Sequence, residues 1–83
     1  MVGSDLIAAE RQRQIDAEGW TPEHDNNHDK GSLAEAAAAY VLCDRTLWPW
    51  DEEDWKPGTN DVRRLVKAGA LIAAEIDRLQ RGL

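Results

Sequence analysis

The sequence feature that most constrains the fold is an aliphatic repeat at helical spacing toward the C-terminal end of the chain. Its members recur at i, i+3, i+4 and i+7, and they are Val62, Leu65, Val66, Gly69, Ile72, Ala73, Ile76 and Leu79. This period predicts an amphipathic helix that begins near Asn60 or Asp61 and ends near Arg81, before Gly82. About 20 residues of helix span roughly 30 Å, so we expect this helix to form the framework of the domain.

A second face of the same helix is also apolar, and it consists of Ala68, Ala70, Leu71 and Ala74. Two apolar faces indicate two packing partners, one inside the domain and one in another subunit. The chain has 83 residues, and a domain of this size buries only about 60–65% of its unfolded surface. Small domains often gain stability by association, so we expect a homo-oligomer.

A first helix is predicted from Ser4 to Glu18, with Ser4 as its N-cap and Gly19 as the residue that ends it. This segment has few aliphatic residues, and Arg11 and Gln14 lie on the same side as two of them. A helix with so little apolar surface must also turn polar side chains inward, so we predict inward positions for Arg11 and Gln14.

The motif "SLAE" predicts that the second helix begins at Ser32, because Ser32 and Glu35 match a capping box. An alanine run with high helix propensity then carries the helix to about Cys43. One stripe of this helix is apolar and is formed by Leu33, Ala37, Tyr40 and Val41. The pattern predicts a core helix.

The segment "DRTLWPWDEEDWKPGTN" connects the second and third helices, and its prolines and glycine exclude a continuous helix. It contains Trp48, Trp50 and Trp55. Two interpretations are open: the indoles form a small core that closes the loop onto the helices, or they form a platform on which a planar ligand stacks. In the second interpretation Lys56 and Arg45 would bind phosphate.

The predicted fold is all-α, with three helices and a long Trp-rich loop between helices 2 and 3, in a single domain over residues 1–83. The net charge of −6 disfavours duplex DNA and anionic membranes as partners. One cysteine excludes an intrachain disulfide and fits a reducing cytosol, and Cys43 is interpreted as a small buried hydrophobe. No stretch has the apolar length of a signal peptide or a membrane span, so we expect a cytoplasmic protein.

The segment "EGWTPEHDNNHDKGS" holds both histidines, His24 and His28, beside Asp25 and Asp29. All four side chains can ligate a metal, but the HExxH pattern is absent and no cysteine lies nearby. Three interpretations stay open: a bound metal, a loop that contacts a ligand, and a turn held by Asx side chains. We assign no metal and no other cofactor to it.

Two cations, Arg64 and Lys67, lie on one face of the third helix, with Arg63 one residue over. The ordinary interpretation of these cations is that they lie on a solvent-exposed face of the helix. These cations lie in the first two turns, however, where the helix dipole disfavours them by about a few tenths of a kcal/mol. We expect an anion to compensate, either the acids at 51–54 or a phosphate.

Three stretches together resemble a family of small proteins from bacterial viruses and prophages: "AERQRQIDAEGWTPEHD", "GSLAEAAAAY" and "VRRLVKAGALIAAEIDRLQR". The layout of that family is similar in turn to the all-α MazG-type nucleotide pyrophosphatases, which hold magnesium with clustered carboxylates. At the matching places this chain has Glu35 followed by four alanines, and Arg64 and Lys67 stand where acids are expected. This departure favours direct phosphate binding over magnesium-dependent catalysis.

The resemblance therefore implies a non-catalytic counter-defence protein that sequesters a nucleotide-derived immune signal, such as a cyclic dinucleotide or an ADP-ribose derivative. The predicted ligand-binding residues are Arg11, Gln14, Trp20, Thr21, His24, Asp25, His28, Trp48, Trp50, Trp55, Lys56, Arg64 and Lys67. Two alternatives stay open. One is an acidic inhibitor, similar in role to an anti-CRISPR protein, that docks on a host defence protein through "WPWDEEDW". The other is a degenerate MazG-like pyrophosphatase.

Overall fold

The structure is a computed structural model, and it describes residues 1–18 and 31–81. Within these ranges the chain forms three α-helices, two short 3₁₀ helices and no strand. The α-helices are α1 (Gly3–Glu18), α2 (Ser32–Leu42) and α3 (Asp61–Gln80), and the 3₁₀ helices are Arg45–Leu47 and Glu52–Asp54. The prediction of an all-α fold with three helices is confirmed.

The longest helix, α3, is the element on which the others pack. Both α1 and α2 contact α3, and the first 3₁₀ helix contacts α2. The start of α3 follows the sequence prediction, because the Asn60 side chain accepts a hydrogen bond of 3.0 Å from the backbone N–H of Arg63. Within the described ranges, no helix combines the length and the apolar character that crossing a membrane would need.

The core lies between α2 and α3 and is built largely from small residues. On α2 it contains Leu33, Ala36, Ala37, Ala39 and Tyr40, and on α3 it contains Ala68, Leu71 and Ala74. Alanine side chains let two helices approach closely, so the alanine run of α2 faces the small-residue face of α3. The structure thus distinguishes the two apolar faces of α3: the small residues are buried, and the larger aliphatic side chains stay mostly exposed.

The contact between α1 and α3 depends on a glycine. A Cβ atom placed on Gly69 would lie 2.5 Å from Cδ1 and 2.7 Å from Cγ1 of Ile7. These separations are far below van der Waals contact. Ile7 therefore fills the space beside the bare backbone of Gly69, and α1 lies close against α3 there.

Three sequence predictions about α2 are wrong. The N-cap is Gly31, whose φ of 87° belongs to the left-handed region, and Ser32 is the first helical residue and not the cap. Cys43 is exposed and not buried, because it is the C-cap with a φ of 51° and lies beyond the packed turns. Val41 is 44% exposed, since it lies on the side of α2 away from α3.

Candidate functional site

Four aromatic residues, Tyr40, Trp48, Trp50 and Trp55, form one cluster at the end of α2. Trp55 stacks on Tyr40 with the ring centroids 5.0 Å apart, and Trp48 meets Tyr40 edge-on at 5.3 Å. Trp50 meets Trp48 edge-on at 5.0 Å. Edge-on and offset arrangements are the favoured geometries of aromatic pairs. The cluster therefore closes the loop onto the helices, as the first interpretation of the tryptophans predicts.

The indoles of the cluster differ in how much surface they leave for a ligand. Trp48 is 9% exposed, and its Nε1–H donates a 2.9 Å hydrogen bond to the carbonyl of Asp51. Its role is structural. Trp50 and Trp55 are half-buried and pack on the edge of the core. The accessible part of the cluster thus belongs to Trp50 and Trp55.

The two cations predicted from the α3 stripe are held by backbone carbonyls. Arg64 Nε donates a 2.9 Å hydrogen bond to the carbonyl of Tyr40, in the last turn of α2. Lys67 Nζ donates a 3.0 Å hydrogen bond to the carbonyl of Lys56, and it lies 5.9 Å from the Tyr40 ring centroid. The negative end of the α2 dipole offsets the unfavourable α3 dipole at Arg64. These cations thus bind the Asp61 carboxylate and two backbone carbonyls, whereas the sequence predicted the acids at 51–54 or a phosphate.

Arg45 and the loop acids make an acidic surface. Arg45 forms an exposed ion pair of 2.8 Å with Glu52. These two residues line an open depression together with Asp51, Glu53 and Trp55. Three carboxylates against one guanidinium make this depression negative, so it favours a cationic partner over a phosphate. Lys56 is exposed beside it.

A buried carboxylate links α1 to α3. Glu10 is 2% exposed. Both of its oxygens bind Arg13 at 2.8 Å, and Oε1 also accepts a hydrogen bond from Nη2 of Arg63. Burial raises the pKa of Glu10, but hydrogen bonds and charge from Arg13 and Arg63 outweigh it and hold the pKa below its usual value. Glu10 is therefore charged at neutral pH.

Gln14 completes this buried group. Its side-chain Nε2 donates a 3.2 Å hydrogen bond to Oε2 of Glu10. A carboxylate only accepts hydrogen bonds, so Oε1 of Gln14 must face the other way. That oxygen is buried and has no hydrogen-bond partner within the described part of the chain. An unsatisfied buried acceptor costs about 1–3 kcal/mol.

Cations are concentrated on the N-terminal half of α3 and the facing part of α1. They are Arg13, Arg63, Arg64 and Lys67; Glu10 pairs with Arg13 and Arg63, and Asp61 pairs with Arg64. The whole chain carries a net charge of −6. The side chains of Arg13 and Arg63 stay 41% and 44% exposed. We call Glu10, Arg13, Gln14 and Arg63 the arginine seam.

The remaining predicted site residues are placed as follows. Arg11 is half-buried on α1. Five others, Trp20, Thr21, His24, Asp25 and His28, lie outside the described residues. In residues 1–18 and 31–81, no group of three or more His, Cys, Asp or Glu side chains is placed to hold a metal ion.

The sequence interpretation missed Glu10, Arg13 and Arg63 as site residues. The i, i+3 spacing of Glu10 and Arg13 was a visible signal for a pair. The contact of Arg63 with Glu10 joins residues far apart in sequence, and helical spacing did not show which of the adjacent residues Arg63 and Arg64 would face α1.

Comparison with known protein families, curated proteins and solved structures finds no match to this chain. The resemblance to proteins of bacterial viruses therefore stays a prediction.

Proposed function

We propose that this protein binds a nucleotide-derived anion without catalysis, and that the arginine seam is its phosphate-binding site. The observation that carries the proposal is the meeting of Arg13 from α1 and Arg63 from α3 on a single buried carboxylate. This arrangement brings two guanidinium groups together in an acidic molecule. Such a region would attract an anion that the rest of the surface repels.

The geometry of the seam suits a phosphate. Glu10 fixes the two guanidinium groups in position, and guanidinium groups bind phosphate oxygens through hydrogen bonds. These contacts order the ligand without a nucleophile, so they support binding and not turnover.

The aromatic cluster lies on the same half of α3. Arg64 follows Arg63 directly and binds the backbone of Tyr40, whose ring stacks on Trp55. A base that reached Trp50 or Trp55 would gain about 1–3 kcal/mol from stacking. A ligand with both phosphate and base would therefore bind better than inorganic phosphate.

The proposed biological role follows from this chemistry and from the viral resemblance. A protein that holds a cyclic dinucleotide or an ADP-ribose derivative without hydrolysing it lowers the concentration of that signal in the host cytosol. The protein would then act as a counter-defence sponge.

A thermal-shift panel tests the proposal. ADP-ribose, cyclic di-AMP, AMP and inorganic phosphate are the probes. A ligand at a hundredfold excess over Kd adds about 2.7 kcal/mol to the free energy of unfolding, which raises the Tm of a domain of this size by roughly 10–20 °C. Chromatography of the recovered ligand should show it unchanged. Release of pyrophosphate or AMP in the presence of magnesium would instead support the MazG-like enzyme.

Two matched variants locate the site. Arg63→Gln and Arg45→Gln remove the same charge, and each breaks one ion pair with a glutamate. The shift should be lost in Arg63→Gln and kept in Arg45→Gln. Far-UV circular dichroism without ligand confirms that both variants fold. Equal ligand-induced shifts in the two variants would contradict the assignment of the seam.

A second candidate function rests on the acidic depression beside Trp55. Its carboxylates and half-buried indole suit an interface with a basic protein, because aromatic anchors with complementary charge dominate such contacts. Capture of a basic host defence protein should be lost with Glu53→Lys and kept with Glu35→Lys, an equal change at an exposed site on α2. Capture that both variants retain would contradict this candidate.

A further inference from the structure

The solvent-facing side of α3 carries large aliphatic side chains. It consists of Val62, Leu65, Ile72, Ile76 and Leu79, which are 45–61% exposed. With Gly69, these residues follow the spacing 3, 4, 3, 4, 3 along the helix, which is the repeat of a coiled-coil seam. We call these five side chains the aliphatic stripe.

The size of the aliphatic stripe marks it as an interaction surface. Side chains of this type and exposure show on the order of 100 Å² each, or roughly 500 Å² per protomer. A symmetric pair that covered the stripe on both copies would bury on the order of 1,000 Å², which reaches the lower limit of specific interfaces. Within residues 1–18 and 31–81, the small-residue face of α3 packs on α2, and the side chains of the aliphatic stripe stay exposed.

We propose that the aliphatic stripe is the interface of a homodimer in which two α3 helices pack antiparallel about a twofold axis. The spacing of the stripe reads the same in both directions. An antiparallel pair therefore places Val62 opposite Leu79 of the partner subunit and Leu65 opposite Ile76 of the partner subunit. Gly69 lies opposite Ile72 of the partner subunit, at the centre. One surface is thus complementary to a second copy of itself.

The centre of the stripe is shared with α1. Gly69 has no side chain, and Ile7 of α1 fills the space beside its backbone. In the proposed pair, Ile72 of the partner subunit would pack against Ile7 and not on the Gly69 backbone itself.

The charges of α3 favour the antiparallel orientation over the parallel one. The N-terminal half holds Asp61 and the cations Arg63, Arg64 and Lys67, whereas the charges of the C-terminal half, Glu75, Asp77, Arg78 and the C-cap Arg81, cancel. An antiparallel pair sets the positive half of each helix beside the neutral half of the other, and it also places the two helix dipoles in opposite directions, which is favourable. A parallel pair would set like halves together.

Sedimentation equilibrium across a concentration series tests the dimer. The wild type should approach twice the protomer mass of 9.3 kDa. Leu79→Glu changes a stripe residue that is 60% exposed, and Leu42→Glu is the matched control at 66% exposure on α2. Because each substitution occurs twice per dimer, Leu79→Glu should weaken association at least about 100-fold, and Leu42→Glu should leave it unchanged. A wild type that stays monomeric, or equal effects of the two variants, would overturn the proposal.

Cysteine crosslinking tests the orientation in a Cys43→Ser background. An equimolar mixture of Leu65→Cys and Ile76→Cys chains should form a disulfide between the two variants, because these positions face each other across the proposed axis. Each variant alone should stay largely uncrosslinked. Efficient disulfides within either variant alone would show a parallel pair and overturn the antiparallel assignment.

Discussion

Replacing the buried Glu10 by glutamine should destabilise the protein by about 2 kcal/mol. Breaking a buried ion pair by removing one partner costs about 3–5 kcal/mol. Here the carboxylate is buried, but the side chains of Arg13 and Arg63 are 41% and 44% exposed and regain some hydration, so we reduce that cost to about 2 kcal/mol. Glutamine keeps the shape of the side chain, so cavity formation adds nothing.

The effect of Glu10→Gln should depend on pH in a defined direction. The folded-state pKa of Glu10 lies below its usual value of 4.5, so the charged carboxylate stabilises the fold at any pH above that value. This contribution is lost as the pH falls through the folded-state pKa. The difference in free energy of unfolding between wild type and Glu10→Gln should therefore be constant near neutrality and shrink on acidification below pH 4.5.

Urea unfolding followed by tryptophan fluorescence measures this difference. With a slope of about 1 kcal/mol per molar urea, the midpoint of Glu10→Gln should fall by roughly 2 M at pH 7. The control is Glu52→Gln, which removes the exposed pair with Arg45 and should change stability by less than about 1 kcal/mol. A Glu10→Gln protein as stable as the wild type, or a difference that persists unchanged in acid, would show that the charged Glu10 carboxylate does not stabilise the fold.

Three further substitutions test the packing of α3, each by urea unfolding. Gly69→Ala should lower the free energy of unfolding by about 1–2 kcal/mol, since the new Cβ displaces Ile7. In a protein that already carries Ile7→Ala, the same Gly69→Ala change should be neutral or stabilising. Arg64→Gln should lower the free energy of unfolding by about 1–2 kcal/mol, because the hydrogen bond to the Tyr40 carbonyl is lost. An unchanged free energy of unfolding would contradict the role of Arg64 at the end of α2. Trp48→Phe should cost a similar amount, because the indole N–H bond to the loop is lost.

Local signals in the sequence predicted the extents of the helices, although Ser4 and Ser32 lie inside their helices and are not the N-caps. Asn60 is an N-cap by residue type and by contact, and the aliphatic period gives the extent of α3 within one residue at its C-terminal end. Prolines marked the loop between α2 and α3. These features depend on neighbours within one turn of the chain, so a single sequence contains the information needed to place them.

Contacts between distant residues were not predictable in the same way. Arg63 and Arg64 are adjacent and chemically identical, yet Arg63 binds Glu10 on α1 and Arg64 binds the end of α2. The choice depends on the rotation of α3 about its axis. Two apolar faces were visible in the sequence, and only the packing of α2 showed that the small-residue face is buried.

Isothermal titration of ADP-ribose and cyclic di-AMP into the wild type, Arg63→Gln and Arg45→Gln measures whether the arginine seam binds an anion in this acidic protein. We expect saturable binding of at least one ligand to the wild type and to Arg45→Gln, and binding weakened at least tenfold, or about 1.4 kcal/mol, in Arg63→Gln. Binding should also weaken as salt concentration rises. No heat with either ligand, or equal affinity in Arg63→Gln and the wild type, would show that the seam is not an anion site.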